Sequence, residues 1–446
     1  MLYTQRMLSG PITPWTRGLA IVLLTILATQ APAAPSDVNP PKKHAPSVLW
    51  IGLDGADQNL LQEWALAGYL PTIAGLMKEG AYAVMDVDIT PAFSPNIWTS
   101  IFTGQRPERH GVQSDMGIVD IPSQHRKTKA IWNILNDQGL TIGSVNHLVT
   151  WPAEHVRGAM LSRLFRTESI PRVLYPETLR PAIQARIKAH EQEIRSLIAP
   201  LDRYRSVEIR PSEAADGTLK HYLDERQKDL NCLQVAEEDA EALEAGLYLL
   251  ENETFDFFTI YFGGCDVLGH RFFRYMPPIP DYIPDEDVQN YGNILRDYYV
   301  MVDGFIKRLL VHAGDETTVV LCSDHGMRKT KPLSRQRLQE GRPPGNHSSV
   351  AVAFFKGPRV KKGHLVSKAG LMDLTPTVLY LQGLPVARDF DGKVLTDIVE
   401  PSYLQNHPIR WVNTFGPPAY ISLDYPLSNI VTPDEQERLR SLGYLK

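Results

Sequence analysis

Seven side chains spread along the sequence have the chemistry of metal ligands. They are carboxylates, imidazoles and one hydroxyl, namely Asp54, Ser94, Asp266, His270, Asp324, His325 and His347. Divalent cations such as zinc bind carboxylate oxygen and neutral imidazole nitrogen, usually through three or four protein ligands per ion. An isolated Asp at a strand end is more often a helix cap, and an isolated His is more often a packed or surface residue. The whole set, however, is large enough to hold two ions.

Three mainly apolar segments, two of them rich in β-branched residues, each end at or shortly before one or two of these ligands. The segments cover residues 47–53, 255–262 and 317–323. Buried strands of parallel sheets have such continuous apolar sequences. Open α/β sheets place their ligands beyond the carboxyl ends of the strands. We therefore predict an α/β protein in which the acidic and histidine side chains meet at one edge of a mostly parallel sheet.

Ser94 stands at the predicted start of a helix. Pro95 suits the first helical turn, residues 96–103 can continue the helix, and Gly104 can end it. We expect Ser94 to cap this helix, so that unpaired amides and the positive end of the helix dipole face it. Such a helix start favours an anionic group, for example a phosphate.

Five short motifs follow one another along the chain. They are Asp54-Gly, Ser94-Pro, Asp266-x-x-x-His270, Asp324-His325-Gly-Met and Gly345-Asn-His347. In type and order they resemble the alkaline phosphatase superfamily, specifically its type I phosphodiesterase and nucleotide pyrophosphatase branch. Residues 103–111 and 373–385 look like scaffold motifs of the same family. The resemblance extends from about Val48 to about Leu395 and is weakest over 154–250.

This resemblance implies a three-layer α/β/α alkaline-phosphatase-like fold, with a mostly parallel central sheet and an inserted helical cap. It also implies a division of the ligands between two divalent metal ions. The implied ligands of one ion are Asp54, Ser94, Asp324 and His325. The implied ligands of the other ion are Asp266, His270 and His347. The ligand types favour Zn²⁺, with Mn²⁺ as the alternative.

The resemblance further implies that Ser94 is a nucleophile. A coordinated hydroxyl loses its proton more readily, so no histidine base is needed. Attack on phosphorus would give a phosphoserine that water then hydrolyses. Many members of this branch use threonine at the equivalent position, which makes Thr90 and Thr99 alternative nucleophiles, but the spacing to Thr103-Gly104 favours Ser94.

Five further residues are predicted to bind substrate, namely Asn96, Gln113, Asp115, Thr150 and Trp151. Nucleotide pyrophosphatases carry an Asn after the nucleophile helix that donates to a phosphate oxygen, and here that place falls on Asp115. An ionised Asp115 would repel phosphate, so either Gln113 is the donor or the substrate brings a cationic or hydroxyl-bearing group. Thr150 and Trp151 follow a predicted strand over residues 141–147 and could line the rim, although packing explains Trp151 equally well.

The chain is expected to form one catalytic domain interrupted by an insertion. Helical spacing of apolar residues and few strand signals over much of 154–250 predict the inserted helical cap. The two parts of the catalytic domain would then be residues 47–153 and 251–446. Clusters of arginine in the cap could contact an anionic substrate, but charged helix faces are more often simply solvated.

The first residues read as a secretory signal peptide over 1–33, followed by an exposed linker over 34–46. Arg6 and Arg17 precede an apolar run that is shorter than the ~20 residues of a spanning helix. We therefore expect leader cleavage, no membrane span in the mature chain, and a periplasmic or secreted protein. Loss of both arginines would change the net charge from -5 to about -7, and nothing indicates a nucleic-acid surface.

The sequence therefore predicts an exported hydrolase of small-molecule phosphate esters. Phosphodiesters are preferred because of the family resemblance alone. The alternatives are a phosphotransferase, a phosphonate or phosphomonoester hydrolase of the same superfamily, and a catalytically silent metal-binding recognition protein. The three cysteines cannot all pair internally, and Cys265 and Cys322 are expected to be buried small apolar residues. The sequence leaves the oligomeric state open.

Overall fold

The computed structural model describes residues 45–113, 121–204, 232–279, 283, 285–329 and 345–419. The predicted signal peptide, nearly all of the predicted linker and Asp115 lie outside these ranges. Among the described helices, we find none with the length and hydropathy that crossing a bilayer demands.

The described strands are short to medium in length. In chain order they are β1 (Val48–Leu53), β2 (Ala81–Asp86), β3 (Ile142–His147), β4 (Gly158–Ser162), β5 (Leu174–Tyr175), β6 (Phe257–Phe262), β7 (Thr318–Cys322), β8 (Met327–Lys329), β9 (Gly345–His347), β10 (Val350–Lys356), β11 (His364–Gly370), β12 (Val386–Ala387) and β13 (Trp411–Val412).

The described α-helices alternate with these strands. They are α1 (Gln58–Leu66), α2 (Pro71–Glu79), α3 (Ser94–Thr103), α4 (Pro107–His110), α5 (Ile131–Asp137), α6 (Arg180–Ala189), α7 (Glu191–Ile198), α8 (Cys232–Asn252), α9 (Gly264–Phe272), α10 (Asp285–Tyr291), α11 (Ile294–Leu310), α12 (Leu374–Leu381) and α13 (Pro401–Asn406). Short 3₁₀ helices cover Ser123–His125, Glu177–Leu179, Ala199–Tyr204, Phe273–Tyr275, Leu371–Asp373 and Thr396–Ile398.

Within the described residues, a nine-stranded sheet has the order β11-β2-β10-β7-β1-β6-β3-β4-β5. Its centre is parallel, because β1 pairs with β6 and β7, and β3 pairs with β6 and β4. The antiparallel pairs involve β10, which lies between β2 and β7, and the short edge strand β5. The predicted mostly parallel α/β sheet is confirmed.

Helices cover both faces of this sheet, which confirms the predicted three layers. Successive residues of β1 point to opposite faces: Leu49 and Ile51 join one apolar core, whereas Val48 and Trp50 join the other. The first core includes residues of α1, α2, α8, α9 and α11. The second includes residues of α3, α5 and α12. Burial on both sides explains why β1 is apolar throughout.

Strand register brings three loops to one edge of the sheet. Leu53 lies opposite Phe262 of β6, and Gly52 lies opposite Cys322 of β7. Because all three strands run in the same direction, the residues that follow them emerge side by side. This is the edge at which the sequence places Asp54, Asp266 and Asp324.

The predicted cap over residues 154–250 differs from the structure at both ends. β4 and β5 fall within this range, yet they extend the central sheet. α8 contacts β3 and β6, so it belongs to the layer that covers the sheet. α6 and α7 pack against α8. Helical periodicity was a poor guide to the boundary, because a helix that packs on a sheet and a helix in an insertion both have one apolar face.

Candidate metal-binding active site

Asp54 directly follows β1 and is buried. Its Oδ1 atom accepts a hydrogen bond from Ser94 Oγ at 3.1 Å and lies 3.4 Å from His325 Nε2. Its Oδ2 atom accepts hydrogen bonds from Trp98 Nε1 at 3.2 Å and from the Tyr261 hydroxyl. The two carboxylate oxygens therefore face different groups.

Asp324 and His325 lie two and three residues beyond β7, and both are buried. Gly55 N donates to Asp324 Oδ1 at 3.0 Å, which links this segment to the one that follows β1. His325 Nδ1 lies 3.0 Å from the carbonyl oxygen of Gly326. Since a carbonyl can only accept, Nδ1 carries a hydrogen, and Nε2 is the ring nitrogen that is left to face a cation. That nitrogen lies 3.3 Å from Asp324 Oδ2.

Asp266 and His270 lie on α9, one helical turn apart, so they face the same side. His270 Nε2 is 3.2 Å from Asp266 Oδ1. His347 comes from β9, which pairs antiparallel with β8, the strand that follows the Asp324 segment. Its Nε2 atom lies 3.3 Å from Asp266 Oδ1 and 3.0 Å from His270 Nε2. His347 Nδ1 lies 2.7 Å from the Ala92 carbonyl, so its Nε2 also faces the cluster as a lone pair.

The seven predicted side chains thus come together at one place. Two groups have ligand atoms within 4.8 Å of one another, namely Asp54 with Asp324 and His325, and Asp266 with His325 and His347. Ser94, Asp266, His270 and His347 are half-buried and form the solvent side of the cluster.

These side chains fit divalent cations. Asp324 Oδ2 and Asp266 Oδ1 are buried and make no hydrogen bond of good geometry to any described residue. Buried carboxylate oxygens without a partner are costly, and a cation would satisfy both. Oxygen and imidazole donors are also the set that zinc or manganese accepts.

The charges in the cluster shift several pKa values. Burial opposes protonation of His325, but the nearby carboxylates of Asp324, Asp54 and Asp266 outweigh it and raise its pKa to about 10. Burial and the neighbouring charge of Asp54 raise the pKa of Asp324. Burial likewise opposes ionisation of Asp266, yet His270 and His347 hold the Asp266 pKa well below its usual range. Concentrated negative charge is thus the main electrostatic feature of the site.

Ser94 is the first residue of α3, and Phe93 rather than Ser94 occupies the cap position. The amides of Asn96 and Ile97 donate to the Phe93 carbonyl oxygen, so the expected group of unpaired amides is smaller than predicted. The Ser94 hydroxyl is free of a capping role and points at Asp54 and at His325 Nε2, which is 3.5 Å away.

The two alternative nucleophiles, Thr99 and Thr90, are placed differently from Ser94. Thr99 Oγ1 is buried and donates to the Pro95 carbonyl at 2.6 Å, within its own helix. Thr90 is exposed beside the cis peptide bond to Pro91. Ser94 is the hydroxyl among these three whose oxygen contacts the acidic cluster.

The predicted substrate-binding residues do not gather around the cluster. Asn96 is buried and its Nδ2 donates to the Pro91 carbonyl. Thr150 Oγ1 donates to the His147 carbonyl, and Trp151 Nε1 donates to the Pro171 carbonyl while its ring packs in a small apolar cluster. Gln113 is exposed, and Asp115 lies outside the described residues. The structure thus favours the packing interpretation of Trp151.

Sequence reasoning missed the side chains that hold the ligands. Trp98 and Tyr261 donate to Asp54. Asp57 accepts a hydrogen bond from Met327 N at 3.1 Å, which links the segments after β1 and β7. Trp98 could have been found, because it lies one helical turn after Ser94 and must share its face.

The sheet, its two helical layers and the metal-type cluster at the strand ends define an alkaline-phosphatase-like protein. A crystal structure of a mutant of alkaline phosphatase PafA matches with a TM-score of 0.50 and 12% identity, covering 81% of this chain and all of the other. A phosphonate monoester hydrolase from Silicibacter pomeroyi matches with a TM-score of 0.43 and 17% identity, covering 79% of this chain and 76% of the other.

The chain belongs to the type I phosphodiesterase / nucleotide pyrophosphatase family, whose model matches residues 48–341. This membership makes it a phosphoester hydrolase. Enzymes of the alkaline phosphatase superfamily use divalent metals, in agreement with the two ligand clusters.

Proposed function

We propose that this protein hydrolyses phosphodiesters, with Ser94 as the nucleophile and a phosphoserine intermediate. The observation that carries the proposal is the position of Ser94 Oγ, 3.1 Å from Asp54 Oδ1 and 3.5 Å from His325 Nε2. A serine hydroxyl with only structural duties would satisfy the helix start instead. The preference for diesters follows from the family.

Two cations would be held by separate but adjacent ligand sets. The first set is Asp54, Ser94, Asp324 and His325. The second set is Asp266, His270 and His347. Bound cations of this kind lower the pKa of a hydroxyl and stabilise the charge that develops on attacking and leaving oxygens. The donor set favours zinc over manganese.

The residues of the chain orient the reaction. Asp54 Oδ1 holds the Ser94 hydroxyl through the proton that must leave when Oγ attacks phosphorus. Attack forms the Oγ–phosphorus bond and breaks the bond to one alcohol, which leaves with a proton. Water then attacks the phosphoserine, Ser94 recovers its proton, and a phosphomonoester is released. Ser94 is half-buried, so its hydroxyl lies on the side of the cluster from which an ester would approach.

Hydrolysis of bis-p-nitrophenyl phosphate and p-nitrophenyl phosphate by the zinc-loaded protein tests this proposal. Ser94→Ala should lower diester turnover by at least about 10³-fold, since the nucleophile itself is lost. Ser100→Ala is the matched control, because Ser100 lies in the same helix and its hydroxyl binds the Asn96 carbonyl and the His110 ring. The control should retain the activity.

A second readout identifies the intermediate. A rapid acid quench during turnover of bis-p-nitrophenyl phosphate should trap a p-nitrophenyl phosphoryl group on Ser94, detectable by mass spectrometry, in the wild type and in Ser100→Ala. Full diester turnover by Ser94→Ala would overturn the mechanism. Two bound ions with no turnover of either ester would overturn the assignment as a diesterase of broad specificity and favour a silent metal-binding protein.

A further inference from the structure

The Oδ2 atom of Asp54 is fully engaged by two neutral donors. Trp98 Nε1 donates to it at 3.2 Å, and the Tyr261 hydroxyl donates to it as well. Oδ1 of the same carboxylate faces Ser94 Oγ and His325 Nε2. An ionised carboxylate has about four acceptor positions on its two equivalent oxygens. The neighbouring residues, and not the carboxylate itself, therefore determine which groups each oxygen faces.

We propose that Trp98 and Tyr261 are positioning residues that hold Oδ2 of Asp54 and keep Oδ1 directed at Ser94 and at the ion that this ligand set would bind. This inference rests on the proposed function, because it assigns a duty within the same metal site. Second-sphere donors of this kind orient metal ligands and adjust their affinity. Here they come from two different elements, one from α3 and one from β6.

Both donors are held rigidly. Trp98 and Tyr261 are almost completely buried, and their rings pack edge to face with centroids 5.3 Å apart. The Trp98 ring also lies against Gly52 of β1, where an added Cβ would be 2.7 Å from the ring. The close approach explains why β1 has glycine two residues before Asp54. The indole therefore has little freedom to turn its N–H elsewhere.

A positive charge reinforces the phenol donor. The Arg163 guanidinium carbon lies 5.4 Å from the centre of the Tyr261 ring. A cation over an aromatic face is attracted to it and fixes its position. It also withdraws electron density from the phenol, which makes the hydroxyl a stronger hydrogen-bond donor. Arg163 follows β4, so this strand, too, contributes to the position of Asp54.

Without these donors, Oδ2 would be a buried charged acceptor with no partner. The carboxylate would then be free to rotate, and Oδ1 would no longer be held towards Ser94. The expected consequences are weaker metal binding at the Asp54 set and a slower chemical step. Substrate affinity should change little, because neither donor is on the solvent side of the cluster.

Zinc titration against a chromophoric chelator tests this inference without relying on turnover. Tyr261→Phe removes only the hydroxyl and keeps the ring beneath Arg163. We expect one of the two ions to bind about 10- to 100-fold more weakly, the usual cost of losing a second-sphere donor. The other ion should bind as in the wild type. Trp98→Phe should weaken binding of the same ion, and the double variant should weaken it more than either single substitution.

Tyr204→Phe is the matched control. Its hydroxyl also donates to a carboxylate, Asp297 Oδ2 at 2.6 Å, but neither residue belongs to the ligand clusters. It should bind both ions with wild-type affinity. In steady-state assays, Tyr261→Phe should lower kcat with little change in KM. Because unfolded protein would also lower the apparent kcat, the rate is normalised to the folded fraction of each variant.

The outcomes separate this inference from the proposed function. If the wild type binds no zinc, the metal site itself is wrong. If the wild type binds two ions and Tyr261→Phe matches Tyr204→Phe at both of them, only the positioning role is overturned. Equal weakening of both ions in Tyr261→Phe would also overturn it, because the proposed effect is specific to the Asp54 set.

Discussion

The imidazole ring of His325 stacks on that of His347, with centroids 3.6 Å apart and an angle of 18° between the planes. The His325 ring follows β7 and the His347 ring lies on β9, so the stack joins two segments that carry ligands. His325 Nε2 also lies 3.8 Å from Asp266 Oδ1, and His325 therefore borders both ligand clusters. The clusters are adjacent, as the roughly 3.5 to 4 Å separation of two-metal sites requires.

Removing His347 should empty one of the two metal sites. We expect His347→Ala to lower the zinc content from about two ions to about one per chain and to slow diester turnover by at least about 100-fold. Inductively coupled plasma mass spectrometry of the dialysed protein measures the metal content. Unchanged stoichiometry and rate would remove His347 from the site.

His190→Ala is the control for that experiment. His190, Glu193 and Glu244 also have ligand atoms close enough for a metal. Glu244, however, forms ion pairs with Arg186 at 3.0 Å and Arg308 at 2.7 Å, and these cations would repel a metal ion. We therefore expect His190→Ala to leave the zinc content unaltered.

Gly55→Ala should destabilise the protein by more than the strain of the left-handed backbone at Gly55 alone. Gly55 has a φ of 66°, and an added Cβ would be 2.6 Å from the Cα atom of Asp266. Gly68 has a φ of 83° with nothing near the position of a Cβ. Gly68→Ala should therefore cost only the roughly 1 to 2 kcal/mol of left-handed strain. Gly55→Ala should add about 1 to 3 kcal/mol of overpacking and lose zinc. If urea denaturation showed equal losses in the free energy of unfolding for Gly55→Ala and Gly68→Ala, this prediction would be contradicted.

Asp57 and Asp303 are both buried, and the carboxylate of each accepts hydrogen bonds from amides at the start of a helix. Asp57 Oδ1 accepts from Asn59 N and Leu60 N, and Asp303 accepts from Thr72 N and Ile73 N. Alanine at either position should cost about 0.5 to 2 kcal/mol of stability. Of the two, only Asp57 also binds Met327 N, and Met327 pairs with the ligand His347. Zinc affinity should consequently fall in Asp57→Ala and stay unchanged in Asp303→Ala. Calorimetric zinc titration of both variants tests this difference in zinc affinity.

His147 should make the fold sensitive to acid. Burial lowers its pKa from 6.5 to about 3, so the unfolded chain binds a proton in this range while the folded chain does not. The free energy of unfolding should therefore fall as the pH drops from about 6.5 towards 3, by about 1.4 kcal/mol per pH unit for this group. His147→Gln should flatten the curve of stability against pH by that slope. Parallel denaturation curves for wild type and variant would refute the assignment.

The sequence by itself determined the three central strands and the residues at their ends. Continuous apolar segments such as residues 48–53 can be buried on both faces only inside a sheet, and polar ligands can follow them only at its edge. Seven candidate ligands were found in this way and by their motifs, and the structure brings all seven together. Local information was sufficient because a strand end is a local feature.

Only the tertiary structure decided how the ligands are oriented. The donors to Asp54 come from Trp98 and Tyr261, which are 163 residues apart in the sequence and meet only after β1 and β6 pair in register. The edge of the supposed cap also depended on pairing, because β4 joins the sheet through hydrogen bonds to β3 that its own sequence does not reveal. The hydrogen bonds of Thr150 and Asn96 to backbone carbonyls were equally hidden from the sequence, because a polar side chain near a strand or helix end binds whichever partner the packed backbone brings closest.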